Sequence, residues 1–181
     1  TLIDEANESA TCSGKPKLFR KVIGDYAPGY VYGNVKTHKD GNKLRPIISQ
    51  FTTPTYDISK QLDALIKPYL PQGHMLKSSA EFVELLANQS PQGNIYSLDV
   101  ESLFTNVLVN RTINIILDRA YNHPTLTPPP ILRRTLKELL TMCTTEVPFR
   151  DMDNNMYVQS DGVGMGSPLG VTFADFFMAE V

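Results

Sequence analysis

The 181-residue chain is poor in the residues that staple small proteins or ligate transition metals: it has two cysteines and three histidines. Cys12 and Cys143 cannot form a disulfide framework. A zinc site needs about four ligands, and His38, His74 and His123 are too scattered to supply them. No apolar run approaches the ~20 residues of a membrane-spanning helix, so no membrane partner is expected. A basic, apolar, small-residue leader is also missing, which leaves secretion unsupported. The Asn-x-Ser/Thr triplets at Asn7, Asn88 and Asn110 are therefore read as chance. No internal repeat occurs.

What is present describes a packed protein. Hydrophobic residues make up 41% and charged residues 20%, a balance that supports a core and argues against wholesale disorder. The length fits one domain or one large piece of a bigger one. The chain begins at Thr1 rather than Met and stops at Val181 inside an apolar run, which predicts a piece of a longer protein. The net charge of −2 hides an asymmetry. Residues 15–45 carry eight Lys/Arg against two acids, a local +6, and the remainder sums to −8. A basic segment on an acidic body is expected of a protein that meets phosphates on one face, although a solvated basic tail would look the same.

The residue pattern predicts an α+β chain. Residues 1–29 read as an irregular lead-in. Residues 30–35 and 44–49 read as strands joined by an Asp40-Gly41 turn, with Pro46 placing the second strand at an edge or a bulge. Helices fit 54–67, with Thr53 as cap and Ile58, Leu62, Leu65 and Ile66 as the apolar face, and 79–89, with Ser78-x-x-Glu81 as a capping box and Phe82, Leu85 and Leu86 as the stripe. Residues 94–100 read as a strand with Asp99 near its end. Helices fit 110–122, capped by Asn110, and 131–144. Residues 146–150 and 155–160 form a hairpin, a glycine-rich loop covers 162–166, and Ser167-Pro168 opens a last helix.

Three features could carry chemistry. Asp99 stands in an apolar strand, where a carboxylate is costly to bury unless it is paired or holds a cation such as Mg²⁺; an exposed strand-end Asp is the plainer reading. Gly162-Val163-Gly164-Met165-Gly166-Ser167-Pro168 offers close backbone approach. It matches neither the dinucleotide fingerprint nor the nucleotide P-loop, and a tight turn before a helix explains it equally. Arg45, Lys36 and Lys39, with His38 beside them, put cations on one hairpin, where they could grip a triphosphate or simply face solvent. No Gly-x-Ser-x-Gly elbow is present.

Taken in order, four segments resemble a known family. They are Tyr32-Gly33-Asn34-Val35-Lys36-Thr37-His38-Lys39; Leu44-Arg45-Pro46-Ile47-Ile48-Ser49; Ser97-Leu98-Asp99-Val100 through Val107; and Gln159-Ser160-Asp161-Gly162 through Gly170. Together they are similar to the reverse transcriptase domain of Penelope-like retroelements, over about residues 30–181. The resemblance implies the right-hand polymerase fold with an incomplete palm sheet: residues 30–92 are mainly fingers, and 93–181 are palm with interleaved fingers helices. It implies template-directed nucleotidyl transfer by a two-metal mechanism with Mg²⁺, for which Mn²⁺ can substitute. Arg45 corresponds to the fingers arginine on the triphosphate, with Lys36 or Lys39 as the second cation. Asp99 corresponds to the first metal-binding aspartate, and the Val100 carbonyl helps hold an ion. Ser102 and Leu103 offer backbone N–H groups, and Phe104 is the aromatic gate that excludes a ribose 2′-hydroxyl. Met165 and Gly166 adjoin the nucleotide, while Gly164, Ser167 and Pro168 contact template and primer.

The implied partners are an RNA or DNA template with primer, deoxynucleoside triphosphates, the remaining palm, the thumb and, in many members, an endonuclease domain. Copying into chromosomes implies access to the nucleus. Two departures stand out: Leu108 replaces a usual Pro, and the Tyr-x-Asp-Asp motif that supplies the partner carboxylates is absent. The isolated chain is therefore expected to be inactive and marginally folded. The alternatives are a non-catalytic nucleic-acid-binding remnant of such a domain and an α/β nucleotide-binding enzyme using the glycine loop.

Overall fold

A computed structural model describes residues 1–20, 22–37, 41, 43–73, 76, 78–89 and 92–180. Lys39, His38 and most of the expected Asp-Gly turn lie outside them. Among the described residues the chain is α+β, with seven α-helices and a four-stranded mixed sheet.

The first helix, α1 (Leu2–Cys12), falls where an irregular lead-in is expected. Its composition is polar, but its ends and one face are well specified. The Thr1 hydroxyl accepts from the Asp4 backbone N–H at 3.3 Å and the Asp4 carboxylate accepts from the Thr1 amino group at 3.3 Å, forming a capping box; the hydroxyl also donates to that carboxylate at 2.6 Å. Ala6 and Ala10, one turn apart, are wholly buried. The following coil is pinned by Asn7, whose side-chain amide exchanges two 2.9 Å hydrogen bonds with the Phe19 backbone.

The core is helical. It is built from α2 (Tyr56–Ile66), α5 (Val109–Tyr121), α6 (Arg133–Thr144) and α7 (Gly170–Met178), with α1 packed on α6. Of the expected α2 face Ile58, Leu62 and Ile66 are buried and Leu65 is half-buried; α5 buries Ile113, Ile116, Leu117 and Ala120, and α6 buries Leu136, Leu139, Leu140 and Cys143. Phe173 and Phe176 of α7 complete the centre. Each buried Leu, Ile or Phe among them contributes about 1.5–3 kcal/mol relative to exposure. Two tyrosines tie down the long 122–132 connection: Tyr69 donates to the Thr127 carbonyl at 2.7 Å and Tyr121 to the Ile131 carbonyl at 2.6 Å.

Helix starts differ from expectation by a residue or two. Thr55 rather than Thr53 precedes α2, Leu108 rather than Asn110 precedes α5, and α7 begins at Gly170 after a turn through Ser167-Pro168. In α3 (Ser79–Gln89) the Glu81 N–H donates to Ser78 Oγ, yet no residue of the helix is buried. Of its apolar stripe, Phe82 and Leu85 are exposed and Leu86 is half-buried.

The sheet runs in the order β2 (Leu44–Ser49), β1 (Gly29–Val35), β3 (Pro148–Arg150), β4 (Met156–Val158). β1 pairs antiparallel with β2 and parallel with β3, so the first hairpin joins the second in one sheet. The strand expected at 94–100 does not form; that segment has no regular secondary structure, is exposed and lies outside any ladder. Alternating apolar residues favour a strand only when a neighbouring strand takes up their backbone groups.

Candidate active site

A cleft of about 780 Å³ opens between the first hairpin, the segment 99–104 and the glycine loop. Its lining brings together Lys36, Arg45, Asp99, Val100, Ser102, Leu103, Phe104, Met165, Gly166 and Ser167, residues spread over more than half the chain and all singled out in the sequence. Gly164 and Pro168 do not line it. Gly164 is buried against Gln159, Ile48 and Gln50. Lys39 lies outside the described residues. Glu101 and Val171 line the cleft although sequence reasoning did not select them.

Each wall has a local cause. The Lys36 N–H donates to the Lys43 carbonyl at 2.9 Å and Asn34 stands opposite Arg45, so the antiparallel register carries Lys36 and Arg45 on the same sheet face. The facing wall depends on a sharp reversal at Ser102, which adopts φ 53°, ψ 44°, a left-handed conformation that costs a non-glycine residue about 1–2 kcal/mol. Three bonds to the Ser102 carbonyl hold it there: from the Thr105 N–H at 3.1 Å, from Thr105 Oγ1 at 2.9 Å and from Asn106 Nδ2 at 3.2 Å. Asn106 also donates to the Glu101 carbonyl at 3.1 Å. Thr105 and Asn106 thus orient the wall without lining it; their legible signal is polar side chains three and four residues after a Ser, able to bond backbone locally. The short helix α4 (Leu103–Asn106) follows and presents Phe104, whose ring lies against α7: a Cβ on Gly170 would sit 3.4 Å from Phe104 Cε1.

Within the chain, the glycine loop comes very close to two neighbouring segments. Gly166, at φ +108°, comes so near β2 that a Cβ would meet the Ile48 carbonyl oxygen at 2.5 Å. Gly162, at φ +69°, would place a Cβ 2.7 Å from the Phe104 carbonyl oxygen. The loop exchanges backbone bonds with both walls: the Ile48 N–H donates to the Met165 carbonyl at 2.7 Å, and the Val163 N–H to the Phe104 carbonyl at 2.8 Å. These two glycines let the loop clasp β2 to α4 and close the floor of the cleft. Ser167 Oγ and the buried Gln50 Oε1 find no hydrogen-bond partner among the described residues.

The cleft carries both signs of charge: Lys36 and Arg45 on the hairpin, Asp99 and Glu101 on the facing segment. Such a site suits a ligand that is itself anionic and cation-bearing, such as a nucleotide phosphate with a divalent metal. Among the described residues no group of three or more Asp, Glu, His or Cys is gathered for a metal. Asp99 and Glu101 are carboxylates that line the cleft, and Mg²⁺ takes oxygen ligands of this kind completed by water and phosphate oxygens.

No helix among the described residues is long and apolar enough to cross a membrane. No family model matches the chain, and no curated protein matches it significantly.

Proposed function

We propose that this chain is the fingers and first part of the palm of an RNA-directed DNA polymerase of the kind found in Penelope-like retroelements. The carrying observation is convergence: Lys36, Arg45, Asp99, Phe104, Met165 and Gly166, distant in sequence and selected by motif, line one cleft. Phosphoryl transfer needs positioning and charge neutralisation rather than covalent help from the protein, and the cleft has the groups for both. Arg45 and Lys36 bind and orient the triphosphate. Asp99, with the Val100 carbonyl, would hold one Mg²⁺, which would supply charge neutralisation for the nucleotide phosphates. Phe104, backed by Gly170, fills the space beside the sugar and selects deoxyribose.

One carboxylate cluster serves one ion, so the 181-residue chain binds nucleotide without extending a primer. Calorimetric titration with Mg²⁺ and a deoxynucleoside triphosphate is expected to show Mg²⁺-dependent binding that Asp99→Asn removes; equal binding by that variant would refute the metal role. Primer extension by the chain alone would refute its incompleteness. In a protein that completes the palm, Asp99→Asn abolishes extension while template binding stays nearly intact, and Phe104→Ala admits ribonucleotides. Unchanged sugar selectivity would remove the gate assignment.

A further inference from the structure

Helix α7 is held by a side chain that lies outside the cleft. The Thr172 hydroxyl donates to Asp63 Oδ1 of α2, and the other carboxylate oxygen, Oδ2, pairs with Lys67 at 2.6 Å. Thr172 is 1% exposed and the Asp63 side chain 15% exposed, so the bond is sheltered from water. Two features mark it as a tie between helices. Thr112 and Thr144 turn their hydroxyls back onto carbonyls of their own helical turns, the usual local bond, whereas Thr172 reaches across to α2. The first turn of α7 also has no acidic residue and no side-chain cap, so Asp63 supplies from α2 the negative charge that a helix N-terminus favours.

The same turn supports the aromatic wall of the cleft. Gly170, two residues before Thr172, stands so near Phe104 that a Cβ would lie 3.4 Å from its ring, and the next residue, Val171, lines the cleft. The Phe104 carbonyl in turn accepts from the Val163 N–H at 2.8 Å. Neither Asp63 nor Thr172 lines the cleft. We propose that Asp63 is a positioning residue for it: by holding Thr172 it fixes the first turn of α7, and thereby how far the Phe104 ring projects into the space beside the sugar. Packed interiors hold few voids and transmit displacement, so a shifted turn moves the ring it supports. The inference rests on the nucleotide reading above and deepens it, since discrimination between deoxyribose and ribose then depends on a residue of α2.

The test is calorimetric titration of the 181-residue chain with dATP and with ATP, each in excess Mg²⁺, read as the ratio of the two dissociation constants, with circular dichroism confirming the fold of each variant. Thr172→Val keeps the side-chain shape and removes the donor. It is expected to lower the preference for dATP roughly two- to thirtyfold, chiefly by admitting ATP. Thr172→Ser keeps the hydroxyl and should keep the ratio. Asp63→Ala joined to Thr172→Val removes both ends of the bond and leaves no unpaired carboxylate, so it carries the test where Thr172→Val alone unfolds, with the same drop in the ratio. An unchanged ratio in folded variants, or an affinity loss shared equally by both nucleotides, overturns the proposal. Hydrogen exchange at the Val163 amide reads the same link without nucleotide: Thr172→Val is expected to speed it while α5 and α6 amides stay as they were. Faster exchange in a chain that takes up no Mg²⁺–dATP would sustain the hold of Asp63 on the cleft wall and sink the nucleotide reading. Intact Mg²⁺–dATP binding with ratio and exchange both unchanged would sink the positioning role alone.

Discussion

The helical half and the sheet-and-cleft half of this molecule contain apolar residues of similar kinds and treat them in opposite ways. Leu139, Leu140, Phe173 and Phe176 are wholly buried, whereas Leu98 is 97% exposed and α3 buries none of its residues. No residue of the four strands enters the hydrophobic core. The difference teaches that burial follows from partners rather than from hydrophobicity: five helices cover one another, while residues 92–102 and the sheet have little packed against them. Stability accordingly resides in the helices.

The largest expected contrast is in thiol chemistry. Burial pushes the Cys143 thiol up to about 12, and Cys12 is exposed. Alkylation at neutral pH should modify Cys12 more than about a thousandfold faster, since the thiolate is the nucleophile; comparable rates, read by mass spectrometry, would mean that the helical core is loose. Next comes Phe173→Ala, expected to cost about 3–5 kcal/mol in urea unfolding, against within about 0.5 kcal/mol for Leu98→Ala. A large loss at Leu98 would break the comparison, because it would show that the segment is packed in solution.

Gly166→Ala is expected to cost roughly 1–3 kcal/mol through its left-handed backbone and the close Ile48 carbonyl. It should also impair Mg²⁺–nucleotide binding, because the loop that joins β2 to α4 is displaced. Binding that survives with the lost stability would separate the loop from the cleft.

The smallest effect concerns the docking of α1. Glu5 is held below the ordinary glutamate range, first by the Thr135 hydroxyl and then by Arg134, each at 2.9 Å. A lowered carboxylate contributes stability above its unfolded value, near about 4.3, and loses it as pH falls through the folded value. Amide-exchange protection factors in α1, corrected for the pH dependence of intrinsic exchange, should fall on acidification below that range, and Glu5→Gln should flatten the response.

Much of the helical half is legible along the chain. The stripes on α2, α5 and α6 repeat at helical spacing, and the cores form where those residues predict. The lead-in was not legible, because two alanines and a capping box are a quiet signal among polar neighbours. Residues 94–100 misled for the converse reason: alternation is local, but a strand needs a second strand. For the cleft, residue types and their order were readable; Glu101 was not, and Thr105 and Asn106 carried only the weak local signal of polar side chains after a Ser, since their roles depend on the turn at Ser102.

By itself, then, the sequence determined the local elements, their apolar faces and the candidate groups Arg45, Asp99 and Phe104, because periodicity, capping and side-chain chemistry act within a few residues. Tertiary structure alone decided which faces are covered, that β1 joins both hairpins in one sheet, and that the candidates line a single cleft. Those outcomes rest on contacts between distant residues, the Ile48–Met165 and Val163–Phe104 backbone bonds above all, whose partners no local pattern names.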